Sequence, residues 1–468
     1  MPVPRAARIA LICFVALLAV PAATVRAATR MPIGFYDDPS FRWSADRAQN
    51  LAAAAAAGAT VIHTTASWAQ MAPTKPAHPS DPDDPAYKIG DLDELVRESA
   101  RYGLRVMVDV TGTPKWANGG LGPNHMPKNL NDFATFVHML AVRYDGKNPG
   151  KGEVSLWSIW NEPNEDLFLT PQYSGTKIVS PANYAKLFKV GYAAIKSANP
   201  WAKVAIGETS PEGRDKPLKG APTTVSPGMF AKLLAKVPGL KFDAWAHHPY
   251  VTSLGAQPLE KVRYPNVTLS QLPTFEKNLK SYFHHEVPIW ITEYGHQTKP
   301  AQPKGVTLAQ QASYAQTALN YAKNDPDVQM FIWFTFRDSA GNPWKSGLEQ
   351  TSGAAKPAFF KFDSLAHLID GTTVTAAPNK PMHPVSVYVP FLTFYNPWDA
   401  LVGVTYTVTD KGKLITHGEP QSNIAPDSSV TFTPSFTPVK GQTYTITASV
   451  NDSNGNVQTR DVVIVTTT

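Results

Sequence analysis

At 468 residues and 43% hydrophobic, the chain is too long for one ordinary domain and predicts a large domain with a smaller companion. Its formal charge of +6 comes from Lys and Arg that are scattered and not gathered into a stripe, which argues against a nucleic-acid or membrane-surface partner. The one cysteine, Cys13, stands near the N-terminus, so the rest of the chain offers no thiol for catalysis, a disulfide or a Cys-based metal site.

Arg5 and Arg8 precede the apolar stretch Ile9 to Val20, and Val25-Arg26-Ala27 places small or apolar residues at the −3 and −1 positions of a cleavage site. Residues 1–28 therefore read as a signal peptide, and a secreted protein is expected. The apolar run is about a dozen residues, short of the roughly 20 that a spanning helix needs. Removing the leader takes three arginines and no acid, so the charge falls to +3.

From Met31 to about Ile369, short apolar runs alternate with helical patterns, the sequence form of repeated βα units. Eight strands are predicted: Pro32–Phe35, Thr60–Thr64, Arg105–Val110, Val154–Trp160, Lys203–Gly207, Phe242–His247, Pro288–Glu293 and Val328–Phe334. The spacing of Phe133, Phe136, Val137 and Leu140 puts one apolar helix face on the sheet, and alanine-rich Asn50–Ala57 is a second helix. Eight such units predict a closed (β/α)8 barrel, a TIM barrel of α/β class, over residues 29–370. An open doubly wound sheet is the alternative. The first strand, however, leads into Tyr36-Asp37-Asp38-Pro39 and not into a glycine-rich turn.

Residues 371–383 are rich in Thr and Pro and read as a linker. Beyond them, over 384–468, the pattern is strands and turns only: Val387–Tyr395, Val402–Thr409, Val430–Phe432, Tyr444–Val450 and Val457–Val465, with Asn454-Gly455 at a hairpin tip. A small immunoglobulin- or fibronectin-like sandwich is expected, as a spacer or stabilising module before a sugar-binding one.

Catalytic groups of such a barrel sit at the C-terminal ends of its strands. Strand four ends in Asn161-Glu162-Pro163-Asn164 and strand seven in Glu293-Tyr294-Gly295. Retaining glycoside hydrolysis needs one carboxylic acid to protonate the leaving oxygen and one carboxylate to attack the anomeric carbon. Glu162 and Glu293 can supply both, and the Asn161 amide can hold a substrate hydroxyl. Short strings such as Asn-Glu-Pro recur by chance; their place on the fourth and seventh strands is what gives them weight.

Trp160-Asn161-Glu162-Pro163 and Trp290-Ile291-Thr292-Glu293-Tyr294-Gly295 resemble the clan A glycoside hydrolases, and families 5 and 39 of that clan both fit. The resemblance covers about residues 30–370 and implies Glu162 as acid/base and Glu293 as nucleophile. It further implies that His248 and Tyr250, in His247-His248-Pro249-Tyr250 after strand six, orient the nucleophile and the sugar, with Tyr250 donating to Glu293. On strand eight it implies Trp333 as the floor of the sugar subsite, with Phe336 in that place if the register shifts. Trp68 and Trp116, after strands two and three, are candidate stacking faces for pyranose rings or, equally, residues that pack a loop. Glu208, after strand five, lacks the Asn-Glu-Pro context and reads as a supporting or surface group.

No cofactor and no metal are expected, since strand one lacks a His-x-His pair. The rival readings are a metal-dependent hydrolase on the same barrel and a carbohydrate-binding barrel without catalysis. The expected partner is an oligo- or polysaccharide, bound by a monomer. Of the two glutamates, Glu293 is expected to be ionised in the resting protein and Glu162, beside Trp160, to carry the raised pKa.

Overall fold

The computed structural model describes residues 31–148, 150–299, 305–369, 375–377, 391–395, 401–425, 429–439, 442–452 and 457–466. The expected leader with Cys13, most of the expected linker and the Asn454-Gly455 tip lie outside them.

Eight parallel strands run β1 (Ile33–Tyr36), β2 (Val61–Ser67), β3 (Arg105–Thr111), β4 (Leu156–Ile159), β5 (Lys203–Thr209), β6 (Ala244–His247), β7 (Ile289–Tyr294) and β8 (Val328–Phe334). Each pairs with the next, and β8 pairs back onto β1, Ile33 opposite Phe331 and Tyr36 opposite Phe334, so the barrel is closed. All eight predicted strands are present; Val328–Phe334 keeps its bounds and the others have one or both ends moved by one to a few residues. Helices cover the outside. Leu130–Arg143 buries Phe133, Phe136, Val137 and Leu140 as its spacing predicts, and the alanine-rich helix spans Arg47–Ala56.

Successive strand residues face opposite sides, which sorts the barrel into layers. Outward residues such as Val106, Val108, Trp157, Ile159, Trp245 and Ile291 pack beneath the helices. Inward, Val61, Met107, Leu156, Ala205, Ala244, Ala246, Trp290, Met330 and Ile332 form a separate apolar layer. Two residues further along the strands the same inward face carries His63, Asp109, Ser158, His248 and Thr292, all fully buried. The barrel is thus oily below and polar above, and its mouth stands on the polar layer.

At the C-terminus, Lys413–Ile424, Val402–Asp410, Thr443–Asp452 and Val457–Thr466 form an antiparallel sheet in that order. Thr375–Ala377, Phe391–Tyr395 and Ser429–Phe432 form a second. Thr375–Ala377 falls in the segment read as linker and is an edge strand instead. The module is all-β, with a core of its own around Val404, Val408, Phe432, Ile446 and Val450.

Two residues read from sequence as sugar platforms belong to the barrel's packing. Trp68 is 1% exposed, opens a one-turn helix directly after β2, and stacks on Phe136 with ring centroids 5.8 Å apart. Trp116 meets it edge-on at 5.4 Å and donates its indole N–H to the Ala72 carbonyl at 2.8 Å. Together they tie the loops after β2 and β3 to each other. Trp68→Ala should therefore cost about 3–5 kcal/mol in a urea unfolding series; full stability in that variant would return the ring to the sugar-binding reading. The separate core of the module leads to a second expectation. Deleting residues 384–468 should leave the barrel's unfolding transition and its turnover in place, and loss of turnover in a folded truncation would make the module part of the cleft.

Candidate active site

β4 stops at Ile159 because the backbone turns left-handed, with φ of 71° at Trp160 and 36° at Glu162. Such angles are uncommon for residues with a side chain and mark positions held by their surroundings. The Trp160 ring is fully buried: its N–H donates to the Phe168 carbonyl at 2.7 Å and its edge packs on Phe133. The Glu162 N–H donates to the Glu208 carbonyl at 3.0 Å, tying the ends of β4 and β5 together. Asn161 is half-buried. Fully buried Asn164 fastens the same loop, donating to Ser210 Oγ at 2.8 Å and to the Val225 carbonyl at 2.9 Å.

Strand parity alone would send Glu208 and Glu293 outward, toward the helices. Irregularities in pairing turn both in. Against β6 the register slips between Gly207 and Thr209, leaving Glu208 as the extra residue, with φ of 47°. Gly207 is required there: at φ of 100°, a Cβ would stand 2.5 Å from the Trp245 ring. Against β8, three steps on β7 from Ile291 to Tyr294 match two from Phe331 to Trp333, which places Glu293 in a second bulge.

These bends bring Glu162, Glu208 and Glu293 around one imidazole. His248 Nδ1 lies 2.8 Å from Glu162 Oε1 and 3.8 Å from Glu293 Oε2, while Nε2 lies 3.7 Å from Glu208 Oε1. Tyr250 donates its hydroxyl to Glu293 Oε2 at 3.0 Å, the bond expected from the resemblance. His63 Nε2 approaches Glu208 Oε1 from the other side at 3.7 Å. His247, next to the site in sequence, faces away: its ring meets the Thr209 hydroxyl and the Val267 carbonyl, and burial lowers its pKa to about 3.

Burial pushes Glu293 up to about 7, with the charges of Glu162 and Glu208 adding to it and His248 and the Tyr250 hydroxyl opposing. The upward shift thus falls on Glu293, the carboxyl expected from sequence to be the ionised one. Burial alone would lower His248, but Glu293, Glu162 and Glu208 outweigh it and hold the ring well above its ordinary value. Burial would raise Glu208; the two imidazoles reverse that and hold it below the usual carboxylate range. Asp109, buried in the same layer, is raised by burial and then by Glu208.

Above this cluster opens a cavity of about 370 Å³ lined by Glu162, Glu293, Tyr250, Phe334 and Trp344, with Glu165, Ser210 and Glu212 along one side. Trp333, the predicted floor, is not in it. Met330 and Ile332 face the barrel interior, so Trp333 points outward, where its N–H donates to the Ser346 carbonyl at 2.9 Å; Phe334, one residue on, faces the mouth. The alternative, Phe336, is also buried, against Phe35 and Phe41. Sequence reasoning missed Trp344, Glu165 and Glu212, which lie in loops without a periodic pattern. Glu165 stands three residues after Glu162 and is pushed up to about 7 by burial and by the Glu162 charge. Among the described residues, the group spaced to hold a cation is Glu276, Asp325 and Asp327. Asp325 and Asp327 precede β8, at the opposite end of the barrel from the cavity.

A comparison of the sequence with curated proteins finds no match. Solved structures share the fold at low identity. A family 39 glycoside hydrolase of Bacteroides cellulosilyticus is 18% identical, with TM-score 0.51 over 86% of this chain and 81% of that one. The GH5_18 protein of Streptomyces cattleya, solved in complex with GlcNAc, is 15% identical, with TM-score 0.53 over 72% and 80%. A GH39 β-xylosidase of Caulobacter crescentus is 14% identical, with TM-score 0.51 over 88% and 94%. The family model for cellulase (glycosyl hydrolase family 5) matches residues 27–337, two strand-end glutamates included, and by that match the chain belongs to glycosyl hydrolase family 5 and is a glycosidase.

Proposed function

We propose that the protein is a secreted, retaining glycosidase that cleaves β-linked glycosides by double displacement, with Glu293 as nucleophile and Glu162 as acid/base. One observation carries the reading: a single nitrogen of His248 reaches both carboxylates, at 2.8 Å and 3.8 Å. The reaching oxygens can be no further apart than those two lengths laid end to end, which admits the retaining spacing and excludes all but the shortest inverting one. Retention uses carboxyls about 5–5.5 Å apart, whereas inversion needs about 6.5–9.5 Å to admit a water.

In the first step Glu293 attacks the anomeric carbon while Glu162 gives its proton to the departing oxygen; in the second, Glu162 takes a proton from water, which releases the sugar. Tyr250 holds the attacking oxygen through its hydroxyl. Tyr250, Phe334 and Trp344 supply aromatic surface for a sugar ring. Among the described residues the lining has four carboxylates and no Lys or Arg, which favours neutral sugars over uronic acids. Export rests on the leader read in residues 1–28.

Azide separates the two roles. With Glu162→Ala, an aryl glycoside with a good leaving group still forms the glycosyl-enzyme, and azide should release a β-glycosyl azide. With Glu293→Ala, azide should enter directly and give the α product. The opposite pattern reverses the assignment, and undiminished hydrolysis in both variants moves the catalytic pair elsewhere. A parallel series of β-glucosides, β-xylosides and β-mannosides names the sugar.

The Tyr250 hydroxyl lowers the pKa of Glu293, whose ionised form is the attacking one. Activity should therefore fall as pH drops through about 7. Tyr250→Phe removes the lowering contact, so the acidic limb of kcat/KM should move to higher pH; an unmoved limb would detach Tyr250 from the nucleophile's titration. Chelation by EDTA should leave turnover unchanged, and loss of activity restored by zinc would replace the carboxylate mechanism with a metal-dependent one.

A further inference from the structure

Beneath the two carboxylates lies a layer whose function the double displacement does not by itself require. His63, Asp109, Ser158, Glu208, His248 and Thr292 all face the barrel interior and are at most 1% exposed. Buried acids are costly unless paired, so a cluster of this kind has to contain its own countercharge.

The geometry of His248 shows where that charge sits. A neutral imidazole has one N–H and one lone pair, and its lone pair repels an anionic oxygen. Here both ring nitrogens face carboxylates: Nδ1 faces Glu162 and Glu293, and Nε2 faces Glu208. A ring with a proton on each nitrogen turns a positive edge to every one of these carboxylates, hydrogen-bonding Glu162 at 2.8 Å and standing at ion-pair distance from Glu293 and Glu208. Of the two buried acids below it, Glu208 lies 3.7 Å from both imidazoles, whereas Asp109 makes no ion pair among the described residues. Glu208 also occupies a bulge at a left-handed φ, without which its side chain would point away from the ring.

We propose that Glu208 is a positioning residue that acts as the buried counter-ion of His248, holding the ring as an imidazolium so that one fixed cation lies against both Glu162 and Glu293. This rests on the assignment of those two glutamates as the reacting pair. The charged and titratable groups facing the ring are Glu162, Glu208 and Glu293, with Tyr250 beside it, His63 and Asp109 across the layer, and His247 adjacent in the chain. Burial favours the neutral form of His63, consistent with a single cation in the layer.

The sign of the effect follows from charge alone. Removing a fixed negative charge lowers the proton affinity of the whole coupled set, so each of its apparent pKa values falls. At under 4 Å, a buried charge moves a neighbour's titration by about one pH unit or more. In Glu208→Gln, which keeps the side chain's shape, the basic limb of kcat/KM on an aryl glycoside should therefore move down by about one pH unit or more. A structural role alone would lower melting temperature or kcat and leave that limb in place, and an unmoved limb overturns the proposal.

The second measurement is independent of turnover and of the Glu208 variant. In wild-type protein labelled with ¹⁵N-histidine, the His248 signals, assigned by their loss in His248→Gln, should show both ring nitrogens protonated at pH 7.5. A neutral ring there overturns the proposal. If no glycoside is hydrolysed while the ring is doubly protonated, the glycosidase assignment of the pair fails and the ion pair stands.

Discussion

Closure of eight parallel strands is the constraint on which the rest of the structure depends. Parallel closure puts every strand's C-terminal end at one rim, so groups from β4, β5, β6 and β7 meet although 131 residues separate Glu162 from Glu293. Closure also leaves only two directions for a side chain, inward or outward, with a period of two. Val61 and His63, Met107 and Asp109, Leu156 and Ser158, Trp290 and Thr292 each share the inward face, the apolar member below and the polar one above. The apolar layer excludes water from the bottom of the barrel. The polar layer can then hold charges at low dielectric just beneath the mouth.

Strand parity did not put the acids there by itself. Glu208 and Glu293 both fall on outward steps and are turned in by bulges, while Glu162 is turned by left-handed backbone at Trp160 and at Glu162 itself. Bulges next to active sites re-aim side chains in this way. Here they convert positions that would lie beneath the helices into a carboxylate ring around His248. The backbone bond from the Glu162 N–H to the Glu208 carbonyl joins the two bends, so the supporting acid and the one above it are held in register with each other.

This explains what the sequence reveals and what it hides. Each of the eight strands is legible because its apolar run is bounded by turn residues, and Glu162 and Glu293 are legible because each ends such a run. The Tyr250 contact to Glu293 follows from the resemblance and is present. Trp333 fails by one residue, since a tryptophan near a strand end looks the same on either face and only the count from Met330 and Ile332 shows that Phe334 faces the cavity. Trp68 takes the packing role of its two readings, because one helical turn after β2 carries it back into the core. Glu208 has no motif; its clue is the glycine before it, which permits the bulge. The strand Lys413–Ile424 was missed because it is an exposed edge strand carrying Gly418 and Pro420, so it lacks the alternation by which its neighbours are found.

A fixed cation between the two carboxylates proposed to react has a further consequence for the double displacement. When Glu293 bonds to the sugar its negative charge is consumed, and Glu162, having given up its proton, becomes the anion. When water completes the reaction, the charges return to their first arrangement. His248 Nδ1 is within 3.8 Å of one carboxylate and hydrogen-bonded to the other, so it meets the anion of each half-reaction without changing place. A preorganised dipole or charge that need not move is the form in which electrostatic stabilisation is most effective in a water-excluded site. Such a cation would lose its proton to the buried carboxylates around it if it had no partner of its own. Glu208, at ion-pair distance from Nε2, is the counter-ion proposed to keep that proton, and the chain holds it there with a bulge, a glycine and a second histidine.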